Sequence, residues 1–136
     1  MNEEINRLVN VDKNEINELK HNISKDKIHM VELDGKCIHS WIDYISAMQT
    51  KFKFPTSCMD SFDRYLDWIT DLHWLGDKEQ LILIIHNYNE FIKDDPLMKK
   101  NIITTLEDHV LPFWEVEVEH VVVGGRRKSF MVYLVE

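Results

Sequence analysis

The run Leu81-Ile82-Leu83-Ile84-Ile85 places five aliphatic side chains in a row. Successive side chains of a strand point to opposite faces, so a strand made of this run has no side to turn toward water. It belongs inside a layered structure, covered on both faces, as the strands of parallel sheets are. Phe130 to Val135 is apolar throughout and reads the same way, and Ile28 to Leu33 reads as a further strand.

Helical patterns separate these strands. Ser40 with Asp43 marks a helix start, and Trp41, Ile42, Ile45, Met48 and Phe52 give the period of a buried face, ending before Pro55. Residues 59–72 form the next helix after a short loop. Asn87 with Glu90 is a candidate cap for a short helix carrying Tyr88, Phe91 and Ile92. Asp95-Pro96, a cap residue followed by Pro at the first helical position, opens a helix that Pro112 stops. Asp34-Gly35 closes the first strand with a turn that can supply positive φ angles. Near the C-terminus Val116, Val118 and Val122 alternate with Glu115, Glu117 and Glu119, which predicts an antiparallel edge strand over Val116–Val123. Gly124-Gly125 is a hairpin signal, with Arg126, Arg127 and Lys128 as a solvated tip. The resulting order predicts an α/β fold: a small, mostly parallel sheet of three parallel strands plus the antiparallel edge strand, with helices chiefly on one side and one end.

Residues 1–27 are polar with a thin apolar stripe, Ile16, Leu19 and Ile23, behind a capping box at Asp12 and Glu15. They predict an N-terminal helical extension packed weakly on a domain spanning 28–136, and the first ten residues are candidates for disorder. With 136 residues and 44% hydrophobic content, the chain can bury one core and is short for two. The formal net charge of −8 argues against direct contact with nucleic acid, whose phosphates draw affinity from clustered Lys and Arg, and favours a basic protein partner. Two cysteines, Cys37 and Cys58, without metal-ligand spacing point to buried reduced thiols. The absence of a signal-peptide pattern and of a long apolar run predicts no membrane contact and a cytoplasmic location.

No nucleotide-binding, zinc-protease or serine-nucleophile motif occurs, and nothing in the spacing joins Cys58 to His73 or His86. The four tryptophans are dispersed along the chain and do not form a platform for single-stranded nucleic acid. What the sequence does concentrate is acid. Read as a helix at about 100° per residue, residues 59–72 gather Asp60, Asp63, Asp67 and Asp71 in a sector of roughly 80°, opposite Phe62, Tyr65, Leu66, Ile69 and Leu72. Like charges at i, i+4 destabilise a helix by roughly 0.2–0.5 kcal/mol per pair, with Arg64 beside the stripe to offset part of it. Only Asp60, placed near the helix start, gains from the macrodipole.

Leu33-Asp34-Gly35, then a helix, then Phe54-Pro55, then Phe62-Asp63-x-x-x-Asp67-Trp-Ile-Thr70-Asp71-Leu-x-Trp74-Leu75 resembles the barstar family of nuclease inhibitors, from about Ile28 to the C-terminus. The resemblance implies a barstar-like fold and no enzymatic activity. It implies that the 59–72 helix and the loop before it plug the active site of a secreted, basic ribonuclease, with carboxylates where RNA phosphates would lie. By position it assigns partner contact to Asp63, Asp67 and Thr70, and on the later helix to Asp108, ahead of its neighbour Glu107. Asp60 and Asp71 join the candidate set by geometry alone. The chain departs from the family in reading Ser57-Cys58-Met59-Asp60-Ser61 where Tyr-Tyr-Gly or Tyr-Phe-Gly with Asn is usual, Leu66 where an interface Trp stands, and Asp71 for a Gly. These changes bear on which nuclease is bound more than on the fold. No cofactor or metal is implied. Two other readings use the same residues: an interaction module with a non-nuclease partner, and a carboxylate metal-binding protein.

Overall fold

Leu81 to Ile85 lie in the strand β3 (Gln80–His86), and all five are fully buried in the computed structural model. The structure describes residues 7–23, 26–76, 78–114 and 129–136. Among these, four strands form one sheet: β1 (Leu8–Val11), β2 (Ile28–Asp34), β3 and β4 (Ser129–Val135), in the order β1-β4-β3-β2 with every pair parallel. Leu83 stands opposite Val31 on one side and Val132 on the other. The helices are α1 (Lys13–Asn22), α2 (Trp41–Lys51), α3 (Phe62–Ile69) and α4 (Pro96–Thr105), the last continuing into a π-helical turn, Leu106–Val110. The predicted edge strand, Val116–Val123, and the Gly124-Gly125 hairpin lie outside the described residues.

The two faces of β3 build two cores. Leu81, Leu83 and Ile85 join Val31, Leu33, Phe130, Val132 and Leu134, and onto them pack Tyr44, Ile45 and Met48 of α2, Tyr65 and Ile69 of α3, and Ile102 of α4. Ile82 and Ile84, with Val135, meet Ile16 of α1 on the other face, with Val11, Leu19, Ile28, Met30 and Tyr133 around them. The arrangement therefore has three layers, rather than helices on one side and one end. Leaving Ile82 and Ile84 in water would cost about 3–6 kcal/mol at the usual price of an aliphatic side chain, so the thin stripe of α1 suffices because the sheet supplies the rest.

The N-terminal segment is accordingly more than a helical extension. Leu8 to Val11 pair with Val132 to Val135, which removes residues 8–10 from the candidates for disorder and makes the segment part of the sheet. Alternation in so short a strand is too brief to read, and its partner lies at the far end of the chain. The capping box of α1 forms as predicted, with Glu15 N–H donating to Asp12 and Asp12 N–H to Glu15. Lys20 Nζ of α1 donates to Glu32 Oε1 at 3.0 Å, and His86 Nε2 approaches the same oxygen at 2.7 Å. Burial works against the charge of Glu32, but the hydrogen bonds from His86 and Lys20 together outweigh it and hold the carboxyl below its ordinary range.

Some predicted local features take other forms. Gly35 does not supply a positive φ; its need is space, since a Cβ there would stand 2.3 Å from the Asn87 carbonyl oxygen. Asn87 does not cap with its side chain; it sits in the left-handed region at φ 51° and donates to Asp34 Oδ1 at 2.9 Å, ahead of a single 3-10 turn. Ile42 is 50% exposed and Tyr44 takes the buried position instead. Pro112 does not stop the α4 element, which stays helical through 111–114. A π turn, in which Leu111 N–H reaches back five residues to Leu106, widens the helix just where the proline ring would otherwise clash with the preceding turn.

Candidate functional site

The apolar stripe of α3 settles onto α2 and the sheet through Tyr65 and Ile69. Tyr65 and Tyr44 share a buried hydroxyl–hydroxyl hydrogen bond of 2.6 Å, which fixes α3 against α2. Ser61 caps the helix by accepting from Arg64 N–H at 3.0 Å. At the other end Trp114 Nε1 donates to the Ile69 carbonyl at 3.1 Å, tying the C-terminus of α3 to the α4 element. Leu72, fully buried at φ 52°, turns the chain away from the helix axis.

The helix is thus shorter than its sequence pattern. Asp63 and Asp67 stand one turn apart on its exposed face, whereas Asp60 lies in the turn before the Ser61 cap and Asp71 beyond the Thr70 cap. Asp63, in the first turn, is the acid that gains from the macrodipole; Asp60, assigned that role from sequence, is outside the helix. Asp71 Oδ1 is already engaged by His73, through Nδ1 at 2.7 Å and the backbone N–H at 3.2 Å. Thr70 is half-buried and its hydroxyl donates to the Leu66 carbonyl at 2.6 Å. Asp108 is exposed on the π turn, a separate element from α3, joined to it through the shared core.

The carboxylates of Asp63, Asp67, Asp60 and Asp108 have no hydrogen bond or ion pair among the described residues, Asp67 accepting from the Thr70 hydroxyl only through its backbone carbonyl. This sets them apart from the acids used structurally: Asp12, Asp34, Asp43 and Asp95 each accept from a backbone N–H near an element end. Arg64, beside the stripe, does not neutralise it. Its guanidinium donates to the Ser57 carbonyl at 3.3 Å.

That contact belongs to a set that braces the loop before α3, which sequence reasoning did not find. Gln49 Oε1 accepts from Cys58 N–H at 2.9 Å; Trp68 Nε1 donates to Thr56 Oγ1 at 3.1 Å; Trp74 Nε1 donates to the Phe52 carbonyl at 2.8 Å. Trp68 and Trp74 meet edge to face at 5.4 Å, so two tryptophans dispersed in sequence form one cluster with Phe54. The signal was present in Trp68 and Trp74, each at a polar boundary where an indole N–H needs a partner. Cys58 is buried with its thiol pushed up by burial, and its Sγ lies against Gln49 instead of a histidine, a poor setting for a nucleophile. Cys37, expected to be buried, is exposed. Among the described residues no group of three or more His, Cys, Asp or Glu is placed to hold a metal ion.

The structure thus sets Asp63 and Asp67 on a short helix behind a braced loop, above a parallel sheet. The profile of one family, Barstar (barnase inhibitor), matches residues 28–134. The chain belongs to the barstar family. Its fold is that of a nuclease inhibitor, and barstar-family members bind nucleases as protein partners and are not enzymes. β1 and α1 precede the matched span, so they are an addition to it. No curated protein and no solved structure matches the chain significantly.

Proposed function

We propose that this barstar-family chain is a cytoplasmic immunity protein that binds a basic ribonuclease toxin and occludes its active site with α3 and the loop before it. The observation that carries this reading is the pair Asp63 and Asp67, exposed, one turn apart and without a partner among the described residues, on a helix fixed from beneath by Tyr44, Tyr65 and Trp114. A cleft that binds RNA phosphates is lined with cationic groups. Fixed carboxylates facing it steer the encounter and pair with those groups once water is excluded, barnase with its inhibitor being itself a measured example of such steering. Asp108 and Asp60 extend the acidic surface, while Thr70 and Asp71 act by shaping the end of the helix.

Asp63→Ala and Asp67→Ala should each weaken binding to an inhibited ribonuclease by at least about tenfold, equivalent to about 1.4 kcal/mol. Thermal stability should hold to within about 1 kcal/mol, since removing one of two like charges at i, i+4 relieves a few tenths of a kcal/mol and, for Asp63, offsets part of the lost macrodipole contribution. The association rate should fall as salt is raised. A panel of basic ribonucleases, barnase among them, assayed for inhibition and then for binding kinetics tests this. Wild-type affinity in both variants, or a rate indifferent to salt, would overturn it, and cell fractionation tests the location.

A further inference from the structure

Between the first turns of α2 and α3 and one side of α4 lies a groove of about 520 Å³, lined by Trp41, Phe62, Met98, Ile102, Thr105 and His109 among others. Its apolar wall is partly open to water, since Phe62 at the first turn of α3 is 43% exposed. An inward-packing helix face has no need of a half-exposed phenylalanine there. The rings of Trp41 and Phe62 lie 5.7 Å apart, tilted by 44°.

The groove's position relative to the acids selects an occupant. Phe62 is the residue before Asp63, and His109 is the residue after Asp108. A partner that covers Asp63 and Asp108 reaches the residues next to them in the chain, Phe62 and His109, which line the groove. We propose that the groove receives an aromatic side chain that the nuclease projects from beside its basic cleft. The inference rests on the nuclease-inhibitor reading and adds to it an apolar anchor. Two tilted rings offer faces and edges to a third in the offset or edge-to-face arrangements that aromatics prefer, and the Met98 thioether adds a polarisable contact. Asn101, Thr104 and Thr105 provide a polar rim. Aromatic anchors in such pockets, ringed by polar contacts that exclude water, are where binding energy concentrates.

The test has two arms. In the first, the full-length, isotope-labelled protein is titrated with N-acetyltryptophanamide at millimolar concentration, with N-acetylglycinamide as blank. The Trp41 indole N–H, the Met98 methyl and the His109 amide should shift together, and Thr104→Trp should abolish the shifts. Thr104 is exposed on α4 and lines the groove, so this substitution fills the groove from its rim and leaves the charge unchanged. Absent shifts, or shifts without a centre at the groove, overturn the proposal.

In the second arm, Thr104→Trp should weaken binding to the inhibited ribonuclease by about tenfold or more while leaving the salt dependence of association unchanged. If Asp67→Asn loses the nuclease and Thr104→Trp keeps full affinity, the acidic helix stands and the groove assignment falls. If both variants bind like the wild type, the nuclease-inhibitor reading fails and takes the groove with it.

Discussion

At the scale of single residues, the position of α3 depends on two hydroxyl groups that nothing in the sequence distinguishes from ordinary core tyrosines. Tyr44 and Tyr65 are fully buried and bonded only 2.6 Å apart. Burial is the main reason that both phenols resist ionisation, Tyr44 being raised further by the neighbouring Tyr65, so both are pushed well above the ordinary phenol range. Because the folded state holds these protons to higher pH than the unfolded state, their contribution to stability is complete below about pH 10 and is lost as pH rises above it. Of the four tyrosines, these two should stay protonated in an ultraviolet titration until the chain unfolds in alkali. Gradual ionisation of all four in the folded protein would contradict the buried pair. Tyr44→Phe, which strands the Tyr65 hydroxyl, should lower stability by about 1–3 kcal/mol in a denaturant titration. The acids were easier to read: spacing gathered Asp60, Asp63, Asp67 and Asp71, and the resemblance singled out Asp63 and Asp67, the two that lie within the helix. That Asp71 leaves the helix and turns to His73 could not be read, because the break depends on Leu72 taking a left-handed conformation that tertiary burial enforces.

At the scale of elements, ends were harder to read than interiors. The periodic stretches of α2, α3 and α4 all formed helices, because one apolar stripe on the sheet is enough to define them. Where they stop is decided by neighbours: Lys53 ends α2 at φ 59°, and α4 passes through Pro112 by widening into a π turn. The joint between β2 and β3 shows the same dependence. Asp34 at the end of β2 accepts from Asn87 at the end of β3, and between them Gly35 lies against the Asn87 and His86 carbonyl oxygens, which a Cβ would approach to 2.3 and 2.9 Å. Those oxygens belong to backbone, His86 in β3 and Asn87 directly after it, so the clash cannot be relieved by rotating a side chain. Gly35→Ala should therefore destabilise the protein by about 1–3 kcal/mol, the usual cost of overpacking, although Ala is ordinarily better than Gly in a helical turn. Thermal denaturation decides between these signs, and an unchanged or raised midpoint would refute the close contact.

For the molecule as a whole, the sheet separates two tasks. The face bearing α2, α3 and α4 carries the proposed nuclease surface, while the face bearing α1 carries only a small core around Ile16, Ile82, Ile84 and Val135. The uninterrupted apolar run of β3 announced that both faces had to be covered. It could not say by which segment, since parallel pairing of β1 with β4 joins residues from opposite ends of the chain and leaves no local pattern. The family match begins at residue 28, so the second covering lies in the stretch for which the resemblance offered no guide. This division predicts an asymmetry between stability and binding. Ile16 is 2% exposed and central to the second core, so Ile16→Ala should cost about 2–5 kcal/mol and lower the thermal midpoint clearly. Below that midpoint the affinity for an inhibited ribonuclease should match the wild type, because α3 keeps its supports in Tyr44, Tyr65 and Trp114 on the opposite face. Calorimetric unfolding alongside binding kinetics on the same variant tests the separation. A loss of affinity in the fully folded variant would mean that the two faces are coupled through the sheet and that the N-terminal segment takes part in inhibition.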